Sequence, residues 1–206
     1  MLEVNNLSIG FASGECLVEG LSFQVEAGGV LALLGPSGSG KSTVLDWITG
    51  TLAPGIQSSG SLHLYGRDLT DVPTERRGLG LVLQDGSLFP HMSIAENLAF
   101  GARQRLSAAA VDELLERADL GGMADRDPAT ISGGQRARVS LLRTLVSEPA
   151  AVLLDEPFSK LDAELRDQIR AFTWTETEAV PRVLVTHDAQ DIPAHAQRIQ
   201  LGDSAC

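Results

Sequence analysis

The sequence predicts an α/β protein whose sheet is mainly parallel. Short apolar segments typical of strands alternate with segments whose apolar residues recur at helical spacing, and this alternation is typical of parallel α/β cores. A strand over residues 30–34, a glycine-rich loop and a helix over residues 41–48 follow one another directly. The apolar run over residues 151–154 has the pattern of a buried strand, and residues 182–186 are predicted to form another strand, so the strand and helix order repeats along the chain.

The remaining elements are predicted from periodicity, capping signals and turn residues. Ser93 and Glu96 fit a capping box that opens a helical insertion over residues 93–118, and Pro149 ends the helix predicted over residues 132–147. The other predicted strands are residues 2–11, 16–25, 61–65, 78–84 and 198–201, and the other predicted helices are residues 161–172 and a short one near Asp188.

Length and composition limit the class of protein. A chain of 206 residues supplies one domain with a large core, since domains run to roughly 100 to 200 residues. The formal charge of −11 argues against non-specific binding to a nucleic acid duplex, which depends on clustered Lys and Arg, so no nucleic acid partner is expected. The longest unbroken apolar runs have five residues, whereas a membrane-spanning helix needs about 20.

The glycine-rich loop satisfies the G-x-x-x-x-G-K-[ST] pattern between a strand and a helix, which is the context that a nucleotide-binding loop requires. Glycines let successive backbone N–H groups and the N-terminus of the next helix point at an anion. Lys41 would neutralise β- and γ-phosphate oxygens, and the Ser42 hydroxyl would bind Mg²⁺. The predicted nucleotide-binding residues of this segment are Gly35, Pro36, Ser37, Gly38, Ser39, Gly40, Lys41, Ser42 and Thr43.

Two adjacent carboxylates follow the apolar run over residues 151–154. Taken alone, such a pair is usually only the solvated end of a strand. In a parallel sheet, however, this end lies at the same carboxyl edge as the phosphate-binding loop. Asp155 would therefore hold Mg²⁺, directly or through water, and Glu156 would act as the general base on the attacking water. The combination with Lys41 favours catalysis.

The segment Ile131-Ser132-Gly133-Gly134-Gln135 narrows the choice among nucleotide-binding proteins. It closely resembles the LSGGQ signature of ABC-type ATPases, with Ile131 in place of the usual Leu, and it opens a helix whose N-terminus can face a γ-phosphate. The resemblance implies a single ABC ATPase domain: a P-loop NTPase core with a mainly parallel sheet, an N-terminal antiparallel β subdomain and an inserted α-helical subdomain. It assigns residues 1–86 and 150–206 to the core with its β subdomain and about residues 87–149 to the helical subdomain.

Four single residues match further positions of this family. Gln84 resembles the Q-loop glutamine that contacts magnesium or water, and His187 resembles the switch histidine that contacts the γ-phosphate. Asp162 ends a segment, Ser159-Lys160-Leu161-Asp162, that looks like the D-loop, and Phe11 resembles the aromatic residue that stacks on adenine. The resemblance implies that the catalytic residues are Glu156, His187, Gln84 and Lys41, and that the metal is bound by Ser42, Gln84 and Asp155.

In this family the signature of one subunit faces the phosphate loop of another, so two ATP molecules are enclosed in a dimer. One copy of each motif in this chain therefore implies a homodimer. The charge of the nucleotide is shared by donors on both surfaces, so ATP favours closure and hydrolysis weakens it. The signature residues acting on the other subunit's ATP would be Ser132, Gly133, Gly134 and Gln135.

Residues 84–98 resemble the region of importer ATPases that forms a groove for a coupling helix of the permease. Residues 156–159 and 186–188 also resemble short bacterial importer subunits, such as those for thiamine, iron, polyamines or inorganic anions. The resemblance implies an ATPase on the cytoplasmic face of the inner membrane that energises import through a separate permease, with a substrate-binding protein as a further partner. The alternatives are a soluble ABC-type ATPase that acts in macromolecular assembly or repair without a permease, and a catalytically silent nucleotide-binding module.

Overall fold

The structure, a computed structural model, describes residues 1–84, 86–161 and 163–202, and for Glu164 it describes the backbone alone. The chain forms two compact units, which we call the sheet unit and the helical unit. The sheet unit contains Met1–Leu81, Ala150–Asp155 and the chain from Glu178 onward, and the helical unit contains Val82–Pro149 and Glu156–Thr177.

The described residues form nine strands and five α-helices. The strands are β1 (Leu2–Phe11), β2 (Cys16–Val25), β3 (Val30–Leu34), β4 (Ile56–Leu64), β5 (Arg67–Asp68), β6 (Leu79–Leu83), β7 (Ala151–Asp155), β8 (Arg182–Val185) and β9 (Gln197–Gln200). The helices are α1 (Lys41–Thr49), α2 (Ile94–Gly101), α3 (Ala108–Arg117), α4 (Gly133–Leu145) and α5 (Ala163–Glu176).

The sheet unit begins with an antiparallel sheet of order β2-β1-β4-β5. Strand β1 is its centre, with Leu2 opposite Val25 of β2 and opposite Leu64 of β4. These three side chains are buried, because one face of the sheet packs on the apolar core. The sheet confirms the antiparallel β subdomain that the resemblance implied.

The second sheet has the order β6-β7-β8-β3-β9. Strand β3 pairs in parallel with β8 and β9, and β7 pairs in parallel with β8. Strands β7 and β8 are buried almost throughout, as expected for parallel strands that are covered on both faces. This sheet confirms the mainly parallel core, and its central strands lead to the predicted site residues.

The helical unit has an apolar core of its own. Ile94, Leu98, Leu115 and Leu142 are completely buried in it, and each such side chain contributes roughly 1.5–3 kcal/mol relative to exposure. Helix α2 begins with the predicted capping box: the Ser93 N–H donates to Glu96 Oε2 (2.7 Å), and the Glu96 N–H donates to Ser93 Oγ (3.2 Å). The longest described helix has 14 residues, and none in the described part of the chain could cross a membrane.

The structure differs from the predicted elements in three places. Strand β4 begins at Ile56, because residues 56–59 pair with β1 although they are mostly polar. Strand β5 has only two residues and was not predicted. The short helix predicted near Asp188 is a single 3-10 turn, Ala189–Asp191, with Asp188 at its N-cap, and Pro193 follows too closely for an α-helix to form.

Candidate functional site

Strand β3 leads directly into the predicted phosphate loop, residues 35–42. Its register places Leu33 beside Val185 of β8 and Leu34 beside Gln200 of β9. The first four residues of β3 are at most 2 % exposed. The phosphate loop therefore leaves the carboxyl edge of the sheet from a rigid, buried strand.

Three glycines of the phosphate loop have a positive φ: 147° at Gly35, 83° at Gly38 and 86° at Gly40. A Cβ on Gly35 would lie 2.5 Å from the carbonyl oxygen of Leu201, and one on Gly40 would lie 3.0 Å from Cγ2 of Val18. Both the conformation and the lack of space favour glycine at these two positions. Glycine at these positions lets a ligand approach the backbone of the phosphate loop closely.

The ammonium group of Lys41 lies at the phosphate loop. Its side chain is 8 % exposed, and Nζ donates to the carbonyl oxygens of Gly35 (2.9 Å) and Pro36 (2.7 Å). The ammonium group is therefore positioned by the backbone of the same loop, where the motif requires it for β- and γ-phosphate oxygens.

Ser42 and Asp155 form the candidate metal site of the sheet unit. Ser42 Oγ donates to Asp155 Oδ1 at 3.2 Å, and both groups are oxygen ligands of the kind that Mg²⁺ prefers. Among the described residues, no three His, Cys, Asp or Glu side chains group as a metal site. The pair fits Mg²⁺, because this ion is usually bound by one or two protein oxygens together with the phosphates of a substrate.

His187 lies at the same sheet edge. It is exposed and follows Thr186, which is buried directly after β8. Val185, the last residue of β8, is in register with both Leu33 and Asp155. The ends of three neighbouring strands therefore bring the phosphate loop, Asp155 and His187 together.

Helix α1 begins without a side-chain cap. Gly40 occupies the N-cap position, and the first intrahelical bond runs from the Val44 N–H to the Gly40 carbonyl (2.9 Å). The N–H groups of Lys41, Ser42 and Thr43 precede that bond, so the helix offers them no carbonyl. Together with the partial positive charge of the helix N-terminus, they form an anion-binding site.

Phe11 is the last residue of β1, at the turn into β2, and is 38 % exposed. Its N–H donates to the Glu15 carbonyl (2.7 Å), and this turn borders a cavity of about 320 Å³. Leu17 and Val18 of β2 lie against Gly40 of the phosphate loop. Sequence reasoning missed these two because their residue types indicate only a strand.

In the helical unit, the signature segment, residues 131–135, opens α4 with a capping box. The Gln135 N–H donates to Ser132 Oγ (3.2 Å), and the Ser132 N–H donates to Gln135 Oε1 (2.9 Å). Ile131 is buried in the apolar core of the unit. Ser132 and Gln135 have the same S-x-x-E/Q spacing as Ser93 and Glu96, so this capping box could also have been predicted from the sequence.

The two signature glycines have different surroundings. A Cβ on Gly134 would overlap the side chain of Leu165 on α5, so this glycine is required by helix packing. Among the described residues, no atom lies within 4 Å of a Cβ placed on Gly133. Gly133 is exposed, and its backbone is therefore accessible to a ligand or to another chain.

Gln84 is exposed directly after β6. Together with Gly133 and Leu161 it lines a cavity of about 300 Å³ within the helical unit. The structure thus brings the Q-loop candidate, the signature and the start of the D-loop candidate to one cavity. Asp162, the last residue of that D-loop candidate, lies outside the described residues.

Glu156 has an unusual backbone conformation. Its φ of 46° is positive, which costs of order 1–3 kcal/mol for a non-glycine residue and is found often at functional sites. Its carbonyl oxygen accepts hydrogen bonds from the N–H (3.3 Å) and the hydroxyl (2.9 Å) of Ser159. Phe158, between them, is buried and packs edge-on against Trp174. The turn that carries Glu156 is therefore fixed by packing.

Arg77 is a buried residue that lies near the C-terminal end of α1. Its guanidinium donates to the carbonyls of Trp47 (2.9 Å) and Ile48 (2.7 Å) near the C-terminal end of α1, and also to those of Val72 (2.7 Å) and Thr70 (3.1 Å). Burial lowers the pKa of Arg77. A cation at this end of α1 stabilises the helix dipole, so Arg77 anchors the helix that carries the phosphate loop.

The chain is similar to known proteins over most of its length. Residues 18–159 match the family model described as ABC transporter. Over 207 aligned residues, the chain is 42% identical to the ABC transporter ATP-binding protein YnjD of Escherichia coli, and the alignment covers 98% of this chain and 95% of that protein.

Two further relatives extend the comparison. The chain is 44% identical to the sulfate/thiosulfate import ATP-binding protein CysA of Mycolicibacterium paratuberculosis over 87% of its length, and it spans about half, 51%, of that relative. Among solved structures, the dimeric post-hydrolysis state of the ATP-binding cassette MJ0796 bound to ADP and Pi superposes with a TM-score of 0.80. The identity is 27%, and the match covers 98% of this chain and 95% of that one.

Proposed function

The chain belongs to the ABC transporter family, and we propose that it is the ATP-binding and ATP-hydrolysing subunit of an importer. Its fold is that of an ABC ATPase, with an antiparallel sheet, a parallel sheet and a helical unit. The observation that carries the proposal is the carboxyl edge of the parallel sheet. There the uncapped start of α1, Lys41, the Ser42 and Asp155 pair and His187 lie together.

In the proposed reaction, water attacks the γ-phosphorus of ATP, the bond to the bridging oxygen breaks, and ADP and phosphate leave. Lys41 and the first N–H groups of α1 stabilise the charge on the β- and γ-phosphate oxygens. Glu156 accepts the proton of the attacking water, and His187 contacts the γ-phosphate. Ser42 and Asp155 would hold Mg²⁺, which would supply further positive charge at these oxygens. Gln84 is assigned to the metal by resemblance alone.

We place two copies of the chain in a head-to-tail dimer. Residues 132–135 of each copy then face the phosphate loop of the other, and Phe11 and Asp162 are assigned to the nucleotide surface by resemblance alone. The dimeric MJ0796 cassette bound to ADP and Pi supports this arrangement. The accessible backbone of Gly133 supports it as well.

The importer assignment rests on the relatives. CysA is named as a sulfate/thiosulfate import protein, and residues 84–98 resemble the permease-binding groove of importer ATPases. We place the chain on the cytoplasmic face of the inner membrane, bound to a permease and supplied by a substrate-binding protein. In that assembly residues 87–149 would be the helical subdomain that meets the permease.

The central test of the proposal is Glu156→Gln. Loss of the general base should lower ATP turnover by roughly 10²- to 10⁴-fold while ATP binding persists, so the variant should accumulate as an ATP-bound dimer in size-exclusion chromatography. Glu113→Gln, an exposed carboxylate change on α3, is the control. Turnover by the Glu156 variant equal to that of the control would contradict the assignment.

The proposed metal is tested by chelation. Excess EDTA should abolish ATP hydrolysis, and added Mg²⁺ should restore it, because the Ser42 and Asp155 oxygens would bind this ion together with the phosphates. Hydrolysis that continues unchanged in EDTA would overturn the metal assignment.

The partner is tested by purifying the tagged chain from solubilised membranes. We expect a multi-spanning membrane protein to co-purify and to couple ATP turnover to solute uptake in vesicles. Recovery only with proteins that are not in the membrane would favour the alternative, an ATPase for assembly or repair.

A further inference from the structure

The turn that carries His187 is held by a buried hydrogen-bonded pair. Thr186 and Asp191 are each 2 % exposed, and Thr186 Oγ1 donates to Asp191 Oδ2 at 3.1 Å. The same hydroxyl oxygen accepts a hydrogen bond from the Asp188 N–H at 3.1 Å. One hydroxyl therefore connects the residues on both sides of His187 to a buried carboxylate.

Further bonds close this turn on itself. Asp188 Oδ1 accepts from the Gln190 N–H (2.9 Å), and the Asp191 N–H donates to the Asp188 carbonyl (3.2 Å). Residues 189–191 thus form the 3-10 turn that brings the Asp191 carboxylate back beneath Thr186. His187 itself is exposed, at the edge where Asp155 and the phosphate loop also lie.

The burial of Asp191 has a physical consequence. A carboxylate is costly to remove from water unless it accepts hydrogen bonds, so the Thr186 hydroxyl and the Asp191 carboxylate stabilise each other in one geometry. Thr186 is fixed at its other side by β8, whose residues are all buried. The exposed histidine therefore projects from a rigid turn.

We propose that Thr186 and Asp191 are positioning residues for His187, and that their hydrogen bond holds the imidazole in the orientation required for the γ-phosphate. This inference rests on the proposed ATPase function. Neither residue contacts the substrate in this assignment; both act through the backbone of the turn. Their contribution should therefore appear in turnover and depend on His187.

The first test compares Thr186→Val with Thr186→Ser in the full-length chain. Valine keeps the shape but removes the hydroxyl, whereas serine keeps the hydroxyl. We expect the valine variant to lower kcat at least tenfold with a KM for ATP within about threefold of wild type, and the serine variant to recover kcat to within about twofold. Equal kcat in the wild type and a folded valine variant would overturn the proposal, and so would a serine variant as slow as the valine one.

A double-mutant comparison separates positioning from a general structural role. If Thr186 acts through His187, then Thr186→Val should cause no further loss of kcat in a His187→Ala background. Full additivity of the two losses would contradict the proposal. If the valine variant does not fold, Asp191→Asn and Asp191→Ala replace it. The asparagine side chain retains an oxygen acceptor, so the kcat of Asp191→Asn should exceed that of Asp191→Ala by at least fivefold. Equal kcat values would overturn the proposal.

A readout that needs no ATP distinguishes failure of this inference from failure of the proposed function. The imidazole signal of His187 in an NMR spectrum, assigned by its loss in His187→Ala, should shift or broaden in Thr186→Val and be restored in Thr186→Ser. An unchanged signal would overturn the positioning role even if the protein is an active ATPase. A wild type that does not hydrolyse ATP, with a signal that responds as expected, would overturn the function alone.

Discussion

Two helices of this protein begin at glycine-rich segments, and their N-termini are built differently. At α1, Gly40 provides no side-chain cap. At α4, Ser132 and Gln135 cap each other, and only the N–H groups of Gly133 and Gly134 precede the capped one. The first helix start leaves its N–H groups open to a ligand, whereas the second is largely complete within the chain.

The difference between the two helix starts indicates different roles for them, nucleotide binding for α1 and dimer assembly for α4. An uncapped helix N-terminus with Lys41 beside it favours a phosphate even in a single subunit. The signature start is already stable in the free chain, and its open feature is the exposed backbone at Gly133. We therefore expect α1 to determine nucleotide affinity and α4 to determine what happens after two copies meet.

The largest effect on stability is expected where α1 is anchored, at Arg77. Arg77→Ala removes donors from four backbone carbonyls, so the free energy of unfolding should fall by roughly 3 kcal/mol. Arg76→Ala, an exposed neighbour, should change it by less than about 0.5 kcal/mol. Urea denaturation measures both, and equal values would show that Arg77 does not anchor the helix.

The next effect is expected in nucleotide binding. Lys41→Ala removes charge-assisted bonds of roughly 1.5–3 kcal/mol, so ATP should bind about 10- to 150-fold more weakly in calorimetry. Arg67→Ala, which removes an exposed positive charge on β5, should leave the affinity unchanged. ATP binding by the Lys41 variant at wild-type strength would contradict the phosphate-loop assignment.

The two signature glycines are expected to differ in role, Gly134 in helix packing and Gly133 in ATP turnover. Gly134→Ala crowds Leu165 and should destabilise the protein by roughly 1–2 kcal/mol. Gly133→Ala has room in the free chain, so its melting temperature should not fall while its ATP turnover does. Comparable thermal destabilisation by both variants would contradict the distinction.

The smallest effect is expected at the cap of α4. Ser132→Ala should cost about 1 kcal/mol through loss of the cap and should also lower ATP turnover. Ser107→Ala removes the N-cap of α3, where the Ala110 N–H donates to Ser107 Oγ, and should cost a similar amount without changing turnover. Equal turnover in the two variants would limit Ser132 to a structural role.

Much of the fold could be predicted because its signals are local. The strand before Gly35, the helix after Lys41 and the capping box at Ser93 are defined by neighbouring residues, and all three are confirmed. The short helix near Asp188 is of the 3-10 type, because only a single turn fits before Pro193. The start of β4 was missed because its polar residues are held by pairing with β1, which the local sequence does not encode.

For the candidate site, the sequence by itself determined the chemical groups. Glycine backbone, a lysine and two carboxylates are specified by residue type and spacing, so the phosphate loop, Asp155 and Glu156 could be named without a structure. The signature segment was identified by its resemblance to the ABC family. The roles of Gln84, His187, Phe11 and Asp162 came from resemblance and remain predictions.

The tertiary structure decided which groups are neighbours and which are fixed. Only the strand order places Asp155 and His187 beside the phosphate loop. Only helix packing gives Gly134 crowded surroundings and leaves those of Gly133 open. The buried Arg77 and the Thr186 and Asp191 pair belong here as well. Their hydrogen bonds depend on the folded backbone around them, and burial is what makes those bonds matter energetically.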